Sequence, residues 1–141
     1  MENNNSGNND GLERLRKILD NMGLRHMKQG GAIYAMFSND DYPKPLSCLF
    51  TASESKMQAV AYMEGVAGSD ERRVEGLEFC NQWNYGRVNP RAYLDEDGDL
   101  RVDMTLFESE LLSDEYIEEN FVSLFLSTAN QFYEEAAKKF A

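Results

Sequence analysis

Histidine is almost missing from this chain, with His26 the only one among 141 residues. A Ser–His–Asp or Cys–His site would have to use that one ring. It sits in Leu-Arg-His-Met-Lys, the pattern of a short strand or an edge, where a structural or surface histidine is expected. Cysteine is nearly as scarce. Cys48 and Cys80 lie far apart, with no C-x-x-C and no Cys/His set at metal-ligand spacing. Both stand in apolar patterns, which predicts buried free thiols in a reducing cytoplasm. No apolar run approaches the ~18 residues of a membrane span, so no membrane association is expected. Basic residues are outnumbered, 14 against 25 acidic ones, for a net charge of −11. Such a field repels phosphates and anionic lipid, and excludes nucleic acid as a natural partner.

Glycine-rich nucleotide loops and the H-E-x-x-H zinc motif are missing too. Gly65-Val66-Ala67-Gly68 follows a strand and precedes a helix, but no lysine completes a phosphate loop and Glu64 and Asp70 flank it. It reads as a strand-to-helix turn. Asp95-Glu96-Asp97-Gly98-Asp99 invites a calcium reading. Placing Gly98 at the sixth position of an EF-hand loop puts Tyr93 first and Met104 last, where acids are required. A tight hairpin is expected instead. No catalytic residue, cofactor or metal ligand follows from the sequence.

What is present is a legible order of elements. The start, M-E-N-N-N-S-G-N-N-D-G, is too polar to pack and lacks the features of a secretory signal. Residues 1–9 are expected to be a disordered tail and 10–141 a single domain. Asp10 is expected to cap a helix over Gly11–Met22, with Leu12, Leu15, Ile18, Leu19 and Met22 as one apolar stripe. A short strand over Leu24 to Lys28 is an optional addition. Strands are predicted at 32–37, 46–51 and 57–63, with a proline-bearing loop over 39–45, and short links imply an antiparallel meander. Ser69 caps a second helix that ends at Gly86, with Val74, Leu77, Cys80 and Trp83 or Asn84 on one face. Strands at 91–94 and 100–106 flank the Asp97-Gly98 turn. Ser113 caps the last helix, with Leu112 and Ile117 as a hydrophobic staple.

The stretch from Glu78 to Leu106 carries a resemblance. Phe79-Cys80-Asn81-x-Trp83-Asn84, then Ala92-Tyr93-Leu94-Asp95-x-Asp97-Gly98-x-Leu100, resembles the YbjN family of bacterial proteins, and the serine-opened final helix fits as well. The resemblance implies a sensory transduction regulator with a fold like that of type III secretion chaperones. It brings no catalytic residues with it. The expected fold is therefore α+β, an antiparallel sheet with helices largely on one face, in the order α-β-β-β-α-β-β-α.

Three features bear on function. The last helix shows two apolar stripes, one through Ile117, Phe121, Phe125 and Phe132, the other through Val122, Leu126, Ala129 and Tyr133. A surface helix needs one. The sheet is expected to cover one stripe and a second copy or a partner the other, which marks Val122, Phe125, Leu126, Ala129 and Tyr133 as a candidate interaction surface and predicts a homodimer. Residues 95–119 hold eleven acids and one base, Arg101, either a solvated face or a docking face for a basic partner. Asn81, Trp83, Asn84 and Asn89 form either a structural joint or a small polar cleft with an aromatic wall. The leading expectation is a non-enzymatic, cytoplasmic protein-interaction module, a regulator or chaperone-like adaptor with an unidentified protein client. The alternative is a small-ligand sensor built on the Asn81/Trp83/Asn84 region.

Overall fold

The computed structural model describes residues 6–40 and 42–140. Residues 1–5, part of the expected tail, lie outside the described residues. Helix α1 (Ser6–Asn21) is followed by strands β1 (Met27–Gln29), β2 (Ala32–Asn39), β3 (Tyr42–Ser53) and β4 (Lys56–Met63). Helix α2 (Asp70–Tyr85) leads to β5 (Arg91–Leu94) and β6 (Leu100–Phe107). The last helix runs as α3 (Asp114–Ile117), a π-helical stretch (Glu118–Ser123) and α4 (Leu124–Phe140). Among the described residues the strands form one antiparallel sheet in the order β1-β2-β3-β4-β6-β5. The expected α+β class, with its extra strand after α1, is what the chain adopts.

The sheet alternates as a one-sided antiparallel sheet must. Ile33, Phe50, Ala59 and Met104 pair across four strands and are all buried, as are Ala35, Cys48, Ala61, Val102 and Ala92 in the next inward row. Onto this face α1 sets Leu12, Leu15, Ile18 and Leu19, and the last helix sets Phe121, Phe125 and Phe132. The rings interlock edge to face: Phe50 with Phe125 at 6.2 Å, and Trp83 with Phe132 at 5.1 Å. Such pairs add about 1 kcal/mol each beyond the area they bury.

Local chemistry accounts for the joints. The Ser69 side chain accepts from the Arg72 backbone N–H, and Ser113 accepts from that of Tyr116, two caps placed as the sequence predicts. Gly98 has φ +82°, and a Cβ there would lie 2.7 Å from the Gly68 Cα. Only glycine therefore lets the β5–β6 turn press onto the strand-to-helix turn.

Three expectations are corrected. Helix α1 begins at Ser6, so Asp10 lies inside it rather than capping it. The proline-bearing segment is strand: β3 starts at Tyr42, and Pro43 and Pro45 fall where its register with β2 shifts, between the Phe37↔Leu46 and Asn39↔Tyr42 pairs. A bulge frees backbone groups from the ladder, so the missing proline N–H groups are tolerated there. In α2 the inward face is Gly76, Cys80 and Trp83, while Val74 and Leu77 point to solvent. Gly76 sets this rotation, because a Cβ there would meet the Ala67 Cβ at 2.9 Å; the helix turns its side-chain-free position to the closest approach.

Candidate interaction surfaces

The structure overturns the sequence-derived interaction surface. Val122, Phe125, Leu126, Ala129 and Tyr133 are all core residues, none more than 8% exposed. The second stripe of the last helix is covered from within the chain. Tyr42 at the start of β3 meets the Tyr133 ring edge-on at 6.4 Å, and the Tyr133 hydroxyl donates to the Lys44 carbonyl at 2.6 Å. On its flank, Phe79 of α2 packs on Phe132 and Phe140. The early start of β3 supplies Tyr42 and Lys44, so reading residues 39–45 as a loop hid the element that covers this stripe.

The Asn/Trp group is brought together only in part, and as a joint. Trp83 is buried and its Nε1–H donates to the Pro90 carbonyl at 3.0 Å. The Asn84 amide grips Ala92 at both ends, donating to its carbonyl at 2.9 Å and accepting from its N–H at 2.8 Å. One side chain thereby supplies the hydrogen bonds that a neighbouring strand would give to β5. Arg87 lies over the Trp83 ring at 3.6 Å. Asn81 and Asn89 are exposed and stand apart from this clamp.

The acidic segment is divided between structure and solvent. Asp103 is buried on the sheet and paired with Arg91, whose Nε donates at 2.8 Å. Glu108 and Asp114 converge on Arg14 of α1, which also reaches the Leu112 carbonyl. The hydrogen bond that Arg14 donates to Asp114, and then the one it donates to Glu108, hold its proton more tightly than usual. Asp95, Asp97 and Asp99 bring carboxylate oxygens within 4.8 Å of one another. Two of them serve the turn: Asp95 accepts from the N–H groups of Asp97 and Asp99, and Asp99 accepts from that of Gly65. Glu96, Glu110, Glu115 and Glu119 remain exposed. His26 faces its own backbone, with Nδ1 2.8 Å from the Leu24 carbonyl oxygen. Burial pushes the Cys48 thiol up to about 12 and that of Cys80 to about 11, so neither is a nucleophile at neutral pH. No helix among the described residues is long and apolar enough to cross a membrane.

Two apolar surfaces that the sequence reading missed stay uncovered. The first is the outer face of the sheet. Register places Met27, Tyr34, Leu49 and Val60 in one cross-strand row that ends in Asp103 and Arg91; Met27 and Tyr34 are exposed and Leu49 half-buried, while Val60 and Asp103 are covered by their neighbours. The next row is Met36, Ser47, Tyr62, Arg101 and Tyr93, with Arg101 lying over both tyrosine rings. Outward positions of a solvated sheet are normally polar. Here Met27 is 60% and Met36 65% exposed. The signal was in β2, where both alternating sets, Ile33/Ala35/Phe37 and Tyr34/Met36, are apolar. The second surface is the outer side of α2 and the turn beyond it, with Val74, Leu77, Tyr85 and Val88 exposed, the last two at 91%.

Two solved structures share the fold, and a third is more distantly similar. YbjN from E. coli matches with a TM-score of 0.64 and 17% identity, over 90% of this chain and 88% of that one. An uncharacterized protein from Methanothermobacter thermautotrophicus matches with a TM-score of 0.54 and 16% identity, over 92% and 98%. The Yersinia pestis type III secretion chaperone SycH, in complex with a stable fragment of YscM2, gives a TM-score of 0.44 and 12% identity, over 92% and 98%. No curated protein matches the chain. A family model, "Putative bacterial sensory transduction regulator", matches residues 11–138. With nearly its whole length matched, the chain belongs to the YbjN family.

Proposed function

We propose that this chain is a non-enzymatic protein-interaction module, a regulator or chaperone-like adaptor in bacterial signalling, that binds a partner protein on the open face of its sheet. The observation that carries this reading is the outer face of the sheet, where exposed Met27, Tyr34 and Met36 stand beside half-buried Leu49, Tyr62 and Tyr93, with the helices packed on the opposite face. Methionine, tyrosine and arginine are the residues enriched at protein interfaces. The family description as a regulator supports the same class. A photo-crosslinking residue at Met36, compared with one at exposed Glu134 on the opposite face, tests it in cells. A partner protein joined through position 36 and not through 134 is expected; no adduct at 36, or equal adducts at both, would overturn the reading.

Self-association belongs to the same proposal, moved from the last helix to α2. Leu77 and Tyr85 stand four residues on either side of Asn81. A second copy packed antiparallel across a two-fold axis at Asn81 sets each Leu77 against the other copy's Tyr85. A self-complementary patch is what a two-fold interface requires.

A further inference from the structure

We propose that the free edge of β2, residues 35–39, captures an extended segment of the partner in which aliphatic side chains alternate with acidic ones. This inference rests on the open-face reading above and names the kind of partner that face takes.

Three observations converge at this corner. First, β1 pairs with β2 only at Met27↔Tyr34, Lys28↔Ile33 and Gln29↔Ala32. Beyond Tyr34, β2 is hydrogen-bonded to β3 alone among the described residues. Five residues of unpaired edge span ~17 Å at the usual rise of a strand. Native edges are blunted by lysine, proline or inward charge. Residues 35–38, Ala-Met-Phe-Ser, carry none of these. The one protective device, the register shift opposite Pro43 and Pro45, lies at the far end.

Second, β1 and its lead-in part from β2 at this point and leave a cleft of about 360 Å³. It is lined by Arg25, His26, Met27, Tyr34, Ala35 and Met36. Ligand pockets begin at about 300 Å³. The cleft is continuous with the outer row, so a strand laid along β2 would set every second side chain beside Met27, Tyr34 and Met36.

Third, the local charge opposes that of the molecule. Residues 21–38 contain no acid and carry Arg25 and Lys28, both exposed, in a chain of net charge −11. Asp20 of α1 lies 3.4 Å from the His26 Nε2, but Arg25 and Lys28 still make this corner more basic than the acidic surface of residues 95–119, which favours an acidic segment in this register.

The test uses the full chain and two labelled pools of ten-residue synthetic peptides. In one, valine, isoleucine or leucine alternates with aspartate, glutamate or threonine. In the other, lysine and arginine replace the acids. Fluorescence anisotropy reads affinity, and amide hydrogen exchange reads place. The acidic pool is expected to bind at least fivefold more tightly than the basic one and to slow exchange at residues 35–39. The double variant Arg25→Glu/Lys28→Glu, changed only at exposed positions, should reverse the preference without moving the urea midpoint. Equal binding of both pools, binding of neither, or protection confined elsewhere would overturn the proposal. Partner crosslinking at Met36 without protection of 35–39 would sink the edge capture and leave the open-face reading standing. Failure of both would remove the two together.

Discussion

Replacing Phe125 by alanine separates a core helix from an interface helix. Phe125 is fully buried and meets Phe50 edge-on at 6.2 Å. Truncating such a ring removes its transfer free energy, leaves a cavity between α4 and β3, and loses one aromatic pair, in all about 4 kcal/mol. Against a typical total of ~5–15 kcal/mol that is a large share. With a urea slope of ~2 kcal/mol/M for a domain of this size, the midpoint should fall by about 2 M. Trp83 is the natural probe, because it is the only tryptophan and its ring packs on Phe132 in the same core. The decisive feature is the concentration dependence. A core residue stabilises the folded protomer itself, so the cost stays constant on dilution. An interface residue stabilises by mass action, so its contribution shrinks as protein is diluted. A loss under ~1 kcal/mol, or one that fades on dilution, would refute the assignment of the last helix to the core.

Gly98→Ala combines a positive φ with a clash against the Gly68 backbone, whereas Gly30→Ala has φ +61° and open space. The first should cost ~3–5 kcal/mol and the second ~1–2, read by urea unfolding; equal costs would deny the close approach of the two turns. Asn84→Ala leaves both polar groups of Ala92 without partners and should cost about 2 kcal/mol, with faster amide exchange along β5. Cys48 and Cys80 should resist alkylation until the protein unfolds. Their folded pKa values of about 12 and about 11 lie above the ordinary 9, so both stay protonated when folded. The stability this gives is complete below pH 9 and lost as pH rises through 11 and 12; a midpoint unchanged across that range in Cys48→Ala/Cys80→Ala and wild type alike would contradict it.

The order of elements was legible because each boundary carries local chemistry. Ser69 and Ser113 cap, Gly86 stops, and Asp97-Gly98 turns, all within a few residues of the element they define. The interaction surface was not legible because it depends on rotation and coverage. Val74 and Leu77 lie at helical spacing from Cys80 and Trp83, and only the close contact of Gly76 with Ala67 decides which set turns inward. The two stripes of the last helix need two partners, and the sequence reading assigns the second to another copy or a partner protein. Both partners are in the chain, and one of them, Tyr42 and Lys44 at the start of β3, was disguised by the two prolines beside it. Trp83 and Asn84 were visible as a pair, but that their polar groups close on Pro90 and Ala92 depends on the hairpin's position in space.

The proposed contacts with other chains all lie outside the last helix, and the one that needs no unidentified partner is a second copy on the outer side of α2. Light scattering across a concentration series, on wild type and on Leu77→Asp, tests it most directly. The account predicts a wild-type mass of twice 16.1 kDa and a folded monomer for the variant. A wild type that stays monomeric at every concentration, or a dimer that survives Leu77→Asp, would contradict it.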